Sequence, residues 1–139
     1  MSDPAVPPSA PVPGPASASE AGARDDVAAS HPADRLLARI AARRAPVCVG
    51  LDPVLGRLPE DVRPGDPDAA AREEAAAAIE HFSRRVLAAV APHVPAVKPQ
   101  SACFERFGAP GVAALEAVIA EARSLDLEVL LDVKREIGR

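Results

Sequence analysis

The spacing of apolar positions along this chain switches repeatedly between helical and alternating, and each switch falls near a proline or glycine. ADRLLARIAARR (33–44) sets Leu36, Leu37 and Ile40 on one helical face and its arginines on the other, which predicts a helix. Pro46 ends it, and the β-branched run VCVGLD (47–52) predicts a short strand. RLPEDVRPGDPD (57–68) reads as a loop, with Asp66 and Pro67 as the N-cap and first-turn proline of the next helix. That helix carries Ile79, Phe82, Val86, Leu87 and Val90 at helical spacing and ends near Pro92. PAVKPQ (95–100) is a second short strand whose pairing Pro99 limits, and SACFERFGAPG (101–111) reads as a loop. GVAALEAVIAEARSL (111–125) is a further amphipathic helix through Val112, Leu115, Val118, Ile119 and Ala122, and EVLLDVK (128–134) is the third strand. Helix, β, α, β, α, β in that order predicts an α/β fold of parallel strands joined by right-handed helical crossovers.

Side chains alternate along a strand, so each strand has a face that can be read directly. Val47, Val49 and Leu51 oppose Cys48, Gly50 and Asp52; Val97 opposes Ala96 and Lys98; Val129, Leu131 and Val133 oppose Leu130, Asp132 and Lys134. One face is branched and apolar, suited to packing under helices. The other ends in charge at the carboxyl end of every strand: Asp52, Lys98, then Asp132 with Lys134. Ligands of parallel α/β folds bind at that end. Two acids and two bases converging there must pair, because an unpaired buried charge costs several kcal/mol.

Composition sharpens this picture. Of sixteen basic residues only Lys98 and Lys134 are lysine, the rest arginine. Where a lysine survives in such a background, a compact ammonium able to give up its proton is the chemistry to look for. The first fifteen residues hold six of the sixteen prolines, and 1–29 is read as a disordered Pro/Ala-rich tail, leaving 30–139 for the folded part. With three Phe and neither Trp nor Tyr, the core must be built from Ala, Val, Leu and Ile. A net charge of −4 argues against non-specific nucleic-acid binding. No apolar run reaches the roughly 18 residues of a membrane span, and residues 1–19 lack a signal-peptide pattern. Cys48 and Cys103 have no metal-ligand spacing and are expected as reduced, buried thiols of a cytoplasmic protein. His31, His81 and His93 are scattered and carry no assigned chemistry, while Glu105 and Arg106 are expected to fix the geometry of their loop.

VCVGLDP (47–53), AVKPQSACFERFGAPG (96–111) and LLDVKR (130–135) together resemble the orotidine 5′-phosphate decarboxylases, especially their longer bacterial subgroup, over about residues 34–138. The resemblance implies a (β/α)₈ TIM barrel that converts orotidine 5′-monophosphate to UMP and carbon dioxide, in pyrimidine biosynthesis, without metal or organic cofactor. It matches Asp52 to an aspartate that contacts ribose, and Lys98 to a lysine that contacts ribose and bridges the charge cluster. It matches Asp132 to the aspartate beside the scissile carboxylate and Lys134 to the lysine that protonates C6. A homodimer is also implied.

The family motif continues D-x-K-R-G-D-I-G, its last aspartate reaching the partner subunit's site. Here Arg135-Glu136-Ile137-Gly138 follows Lys134, one residue short, which leaves Glu136 as the only acid at that point. A complete barrel needs about 250 residues. The present sequence is therefore expected to hold its amino-terminal portion, about three strands, with the phosphate and base contacts beyond it and no turnover by the chain alone. Two other readings stay open: a small non-catalytic α/β binding module, and another phosphate-sugar enzyme of the same barrel superfamily. A dinucleotide-binding domain is disfavoured, because VCVGLDP offers no glycine-rich phosphate turn.

Overall fold

The computed structural model describes residues 31–133. The expected disordered tail, Lys134 and Glu136 lie outside the described residues. Helix α1 spans Pro32–Arg43, strand β1 Cys48–Leu51, helix α2 Arg72–Val90, strand β2 Ala96–Pro99, helix α3 Ser101–Glu105, helix α4 Ala109–Ser124 and strand β3 Glu128–Val129. The strands form one parallel sheet in the order β1-β2-β3, with Gly50 level with Lys98 and Ala96 level with Glu128. Helices α2 and α4 pack against each other and bury one face of the sheet.

The core is aliphatic, as the composition requires. Leu51, Ile79, Leu87, Val97, Val118 and Ala122 are almost wholly enclosed, with Phe104 the one large aromatic among them. Alanines 75, 76 and 78 of α2 let that helix sit close to the sheet. Ser83 is buried on the same helix because its hydroxyl donates to the Ile79 carbonyl at 2.7 Å, which removes the cost of hiding it.

Four expectations about the elements need correction. The Asp66 cap closes an isolated turn, its Oδ1 accepting from the N–H groups of Asp68 and Ala69 at 3.0 and 3.3 Å. Helix α2 starts later, after Ala71, which makes no side-chain cap. Second, SACFERFGAPG is not all loop: its first five residues form α3, and its last three begin α4. Gly108 permits the join through a φ of 69°, and Gly111 permits close packing, since a Cβ there would lie 2.0 Å from the Phe104 carbonyl oxygen.

Third, β3 is regular only at Glu128–Val129, with a further bridge between Gln100 and Asp132. Pro99 is the cause, since it has no N–H to give to the ladder between those two points. Fourth, the apolar face predicted for α1 is not a core face: no residue of α1 is buried, and Leu37 is 62% exposed. The helix is well terminated all the same, with His31 Nδ1 accepting from the Ala33 N–H, Pro32 in the first turn and Arg44 left-handed at its end. Arginines hold it against the sheet. Arg35 and Arg39 pair with Glu128, and Arg39 and Arg43 pair with Asp126.

Candidate active site

The sheet face away from α2 and α4 is open. Cys48, Gly50 and Asp52 are exposed on it and Lys98 is half-exposed, which is the parity expected of these strands. The opposite face carries Leu51 and Val97 in full burial and Val49 and Val129 against the core. Val47, Leu131 and Val133, expected on that packed face, are instead 51%, 43% and 59% exposed, because they lie past the helices at strand ends and at the sheet's β3 edge.

At the carboxyl end of the sheet, Lys98 Nζ donates to Asp132 Oδ2 at 2.9 Å. Three backbone bonds set this distance. The Asp132 N–H donates to the Pro99 carbonyl, the Ser101 N–H returns to the Asp132 carbonyl, and the Gln100 N–H ties the same stretch to Leu51 of β1, all at 2.9–3.0 Å. Asp52 approaches from the β1 side. Its Oδ2 lies 3.1 Å from where a Cβ on Gly50 would sit, so the missing side chain of Gly50 makes room for that carboxylate over the strand. No direct hydrogen bond joins Asp52 to Lys98 among the described residues, but its charge acts on the lysine.

Asp132's hydrogen bond holds the Lys98 ammonium above the ordinary lysine range. Partial desolvation opposes that rise, and the charges of Asp132, Asp52 and Cys48 add to it. Lys98 is therefore a fixed cation at neutral pH. It can bind, orient and stabilise negative charge, but it is a poor proton donor. Lys98, Leu130, Leu131, Asp132 and Val133 line an open hollow of about 510 Å³ beside the pair. Of the four residues singled out from sequence, Asp52, Lys98 and Asp132 thus stand at one end of one face, and Lys134 lies outside the described residues.

Neither cysteine is the buried thiol that was expected: Cys48 is exposed and Cys103 half-buried. Partial burial raises both thiols, Asp52 raises Cys103 further, and Lys98 lowers Cys48 in part, so neither is activated as a nucleophile. Sequence reasoning missed Ser101, whose buried hydroxyl, at the start of α3 and beside the Asp132 backbone, has no hydrogen-bond partner among the described residues. Its only sequence signal was its place directly after a strand. Arg106 lies over the Phe107 ring, 5.3 Å from its centroid. Among the described residues no three His, Cys, Asp or Glu side chains gather in a way that could hold a metal ion, and no helix is long and apolar enough to cross a membrane.

Known proteins match this arrangement, although no family model does. The orotidine 5′-phosphate decarboxylase of Nocardioides sp. is 50% identical over 105 residues, which are 75% of this chain and 35% of that protein. The orotidine 5′-phosphate decarboxylase of Streptomyces coelicolor is 44% identical over 103 residues, 73% of this chain and 34% of its own length. A crystal structure from Streptomyces avermitilis, assigned provisionally as orotidine 5′-phosphate decarboxylase, superposes with a TM-score of 0.58 at 39% identity. It covers 77% of this chain and 34% of that one. The chain spans about a third of the length of the curated relatives it matches. Its three parallel strands and their helices are those of a partial TIM barrel. The chain is a homologue of the orotidine 5′-phosphate decarboxylases, matching them over about one third of their length.

Proposed function

We propose that this chain supplies the charged half-site of an orotidine 5′-monophosphate decarboxylase that forms UMP and carbon dioxide. The observation that carries the reading is the 2.9 Å Lys98–Asp132 pair on the open sheet face, with the Asp52 carboxylate over Gly50, the residue level with Lys98. Lys98 and Asp52 take the ribose hydroxyls, the ammonium donating and the carboxylate accepting. Asp132 stands beside the scissile carboxylate, and Lys134 completes the alternating acid–base row.

Chemistry follows from that row. The bond from C6 to the carboxylate breaks, carbon dioxide leaves, and the electron pair remains on C6. That carbanion has no conjugated electron sink, so its charge must be met by cations already in place. Lys98, pinned by Asp132, keeps the row ordered without reorganising during the reaction. Lys134 then delivers its proton to C6 as general acid, which an arginine would not do. In this reading the enzyme is a soluble cytoplasmic homodimer with no nucleic-acid or membrane partner. Its phosphate and pyrimidine contacts belong to the two thirds of the relatives' length that this chain does not span, so residues 1–139 alone are expected to show no turnover.

A chimaera tests the assignment. Residues 34–138 would replace the matching third of the Nocardioides relative, and loss of orotidine 5′-monophosphate absorbance would be followed. The chimaera should turn over, and Lys98→Ala, Asp132→Ala and Lys134→Ala should each lower kcat/KM by roughly a hundredfold or more. A folded chimaera whose three variants match the parent would refute it.

A further inference from the structure

The pairing of β3 with β2 is short of donors. The N–H groups of Glu128, Leu130 and Asp132 reach the carbonyls of Pro95, Val97 and Pro99 at 2.9, 3.0 and 2.9 Å. In a parallel ladder of that register, the return bond to the Leu130 carbonyl would come from residue 99. That residue is proline and has no N–H to give, while Asp126 lies ahead of the paired register.

Just ahead of the ladder, side chains grip the chain. Arg39 Nε donates to the Asp126 carbonyl at 3.0 Å, while its other two nitrogens reach Asp126 Oδ1 at 2.8 Å and Glu128 Oε2 at 3.1 Å. Arg43 adds a bond to the same carbonyl at 3.1 Å and another to the Ala91 carbonyl at 3.2 Å. The gripped residue is itself unusual, since Asp126 is non-glycine with a φ of 57°. One guanidinium, with 21% of its side chain exposed, therefore holds the backbone and both acids at the head of the strand whose far end bears Asp132.

We infer that Arg39 is a positioning residue for the Lys98–Asp132 pair: by gripping the Asp126 carbonyl and the carboxylates of Asp126 and Glu128 it fixes the placement of β3, six residues ahead of the carboxylate. A planar fork is needed for this, because one donor must meet a backbone carbonyl while two others meet separate carboxylates. The functional meaning of the inference rests on the proposed half-site. Its test does not, since no substrate is involved.

The test is amide exchange and lysine titration by NMR on the 139-residue chain, ¹⁵N-labelled throughout and ¹³C-labelled at lysine Cε. Only two lysine signals exist, and Lys134→Arg assigns them. In Arg39→Gln, the Leu130 and Asp132 amides should exchange about tenfold faster while buried amides of α2 and α4 change less than about twofold, the mark of a local opening. The Lys98 titration should fall toward the ordinary lysine range as Asp132 drifts; Asp52 and Cys48, the other groups acting on it, stand on or just after β1 and are not moved. Arg39→Lys, which keeps the charge and loses the fork, should behave like Arg39→Gln. Arg85→Gln, which removes the exposed pair with Asp61, should leave all of these signals alone. Unchanged Leu130, Asp132 and Lys98 signals in a folded Arg39→Gln would overturn the inference. So would uniform acceleration of every amide, or unfolding of both Arg39 variants, because the network would then be holding the whole domain rather than one strand.

Discussion

Replacing Gly111 with alanine should damage this fold more than a methyl added at any other described glycine. The new Cβ would lie 2.0 Å from the Phe104 carbonyl oxygen, 2.9 Å from its carbon and 3.1 Å from Phe107 Cβ. The near neighbours are backbone, so no flexible side chain can give way, and the start of α4 must retreat from α3 by more than an ångström. That movement loosens Phe104 and Phe107, which are 0% and 9% exposed. Overpacking of this kind typically costs about 1–3 kcal/mol, and the rigid contact argues for the upper end. For a domain of this size, about 2–3 kcal/mol corresponds to roughly 10–20 °C in Tm. Gly65→Ala is the matched control, because nothing lies within 4 Å of its added methyl. Thermal unfolding followed by circular dichroism measures both. A Gly111→Ala variant melting within about 2 °C of the parent would refute the reasoning.

Ile79→Ala removes an aliphatic side chain of α2 that is 0% exposed and should cost about 2–5 kcal/mol in urea unfolding, against less than about 0.5 kcal/mol for the exposed Arg85→Gln. The Lys98–Asp132 bond sets a pH dependence: Lys98 is raised on folding, so its contribution is complete below the ordinary lysine pKa and fades as pH climbs through the raised folded value. The urea midpoint of the parent should therefore fall at strongly alkaline pH by more than that of Asp132→Asn. Mass spectrometry after brief alkylation should find Cys48 modified before Cys103, both slowly at neutral pH, because Cys48 is exposed and both thiols are raised.

Much of the fold can be read from residue order, because the alternating runs at 47–52 and 95–100 and the helical runs around Ile79 and Val118 each contain their own periodicity. The losses have local physical causes. A five-residue helix such as α3 is too short to display a period. The Asp66–Pro67 pair carries a genuine capping signal, yet the chain spends it on a turn ahead of the Arg72–Val90 helix. Pro99 was visible as a limit on pairing, but its consequence falls on β3, a different strand. The Arg39 fork was unreadable because its partners lie 87 and 89 residues away. At the site, strand parity placed Asp52, Lys98 and Asp132 on one face. It could not distinguish the hydrogen-bonded Asp132 from Asp52, which acts on Lys98 only through its charge.

Titration of the Lys98 side chain tests the central claim most directly. In the parent chain its midpoint should lie above the ordinary lysine range, and it should drop in Asp132→Asn and by less in Asp52→Asn, as expected for one hydrogen-bonded partner and one acting at a distance. An ordinary midpoint in the parent, unmoved by either substitution, would mean that the acid–base row on the open sheet face does not exist.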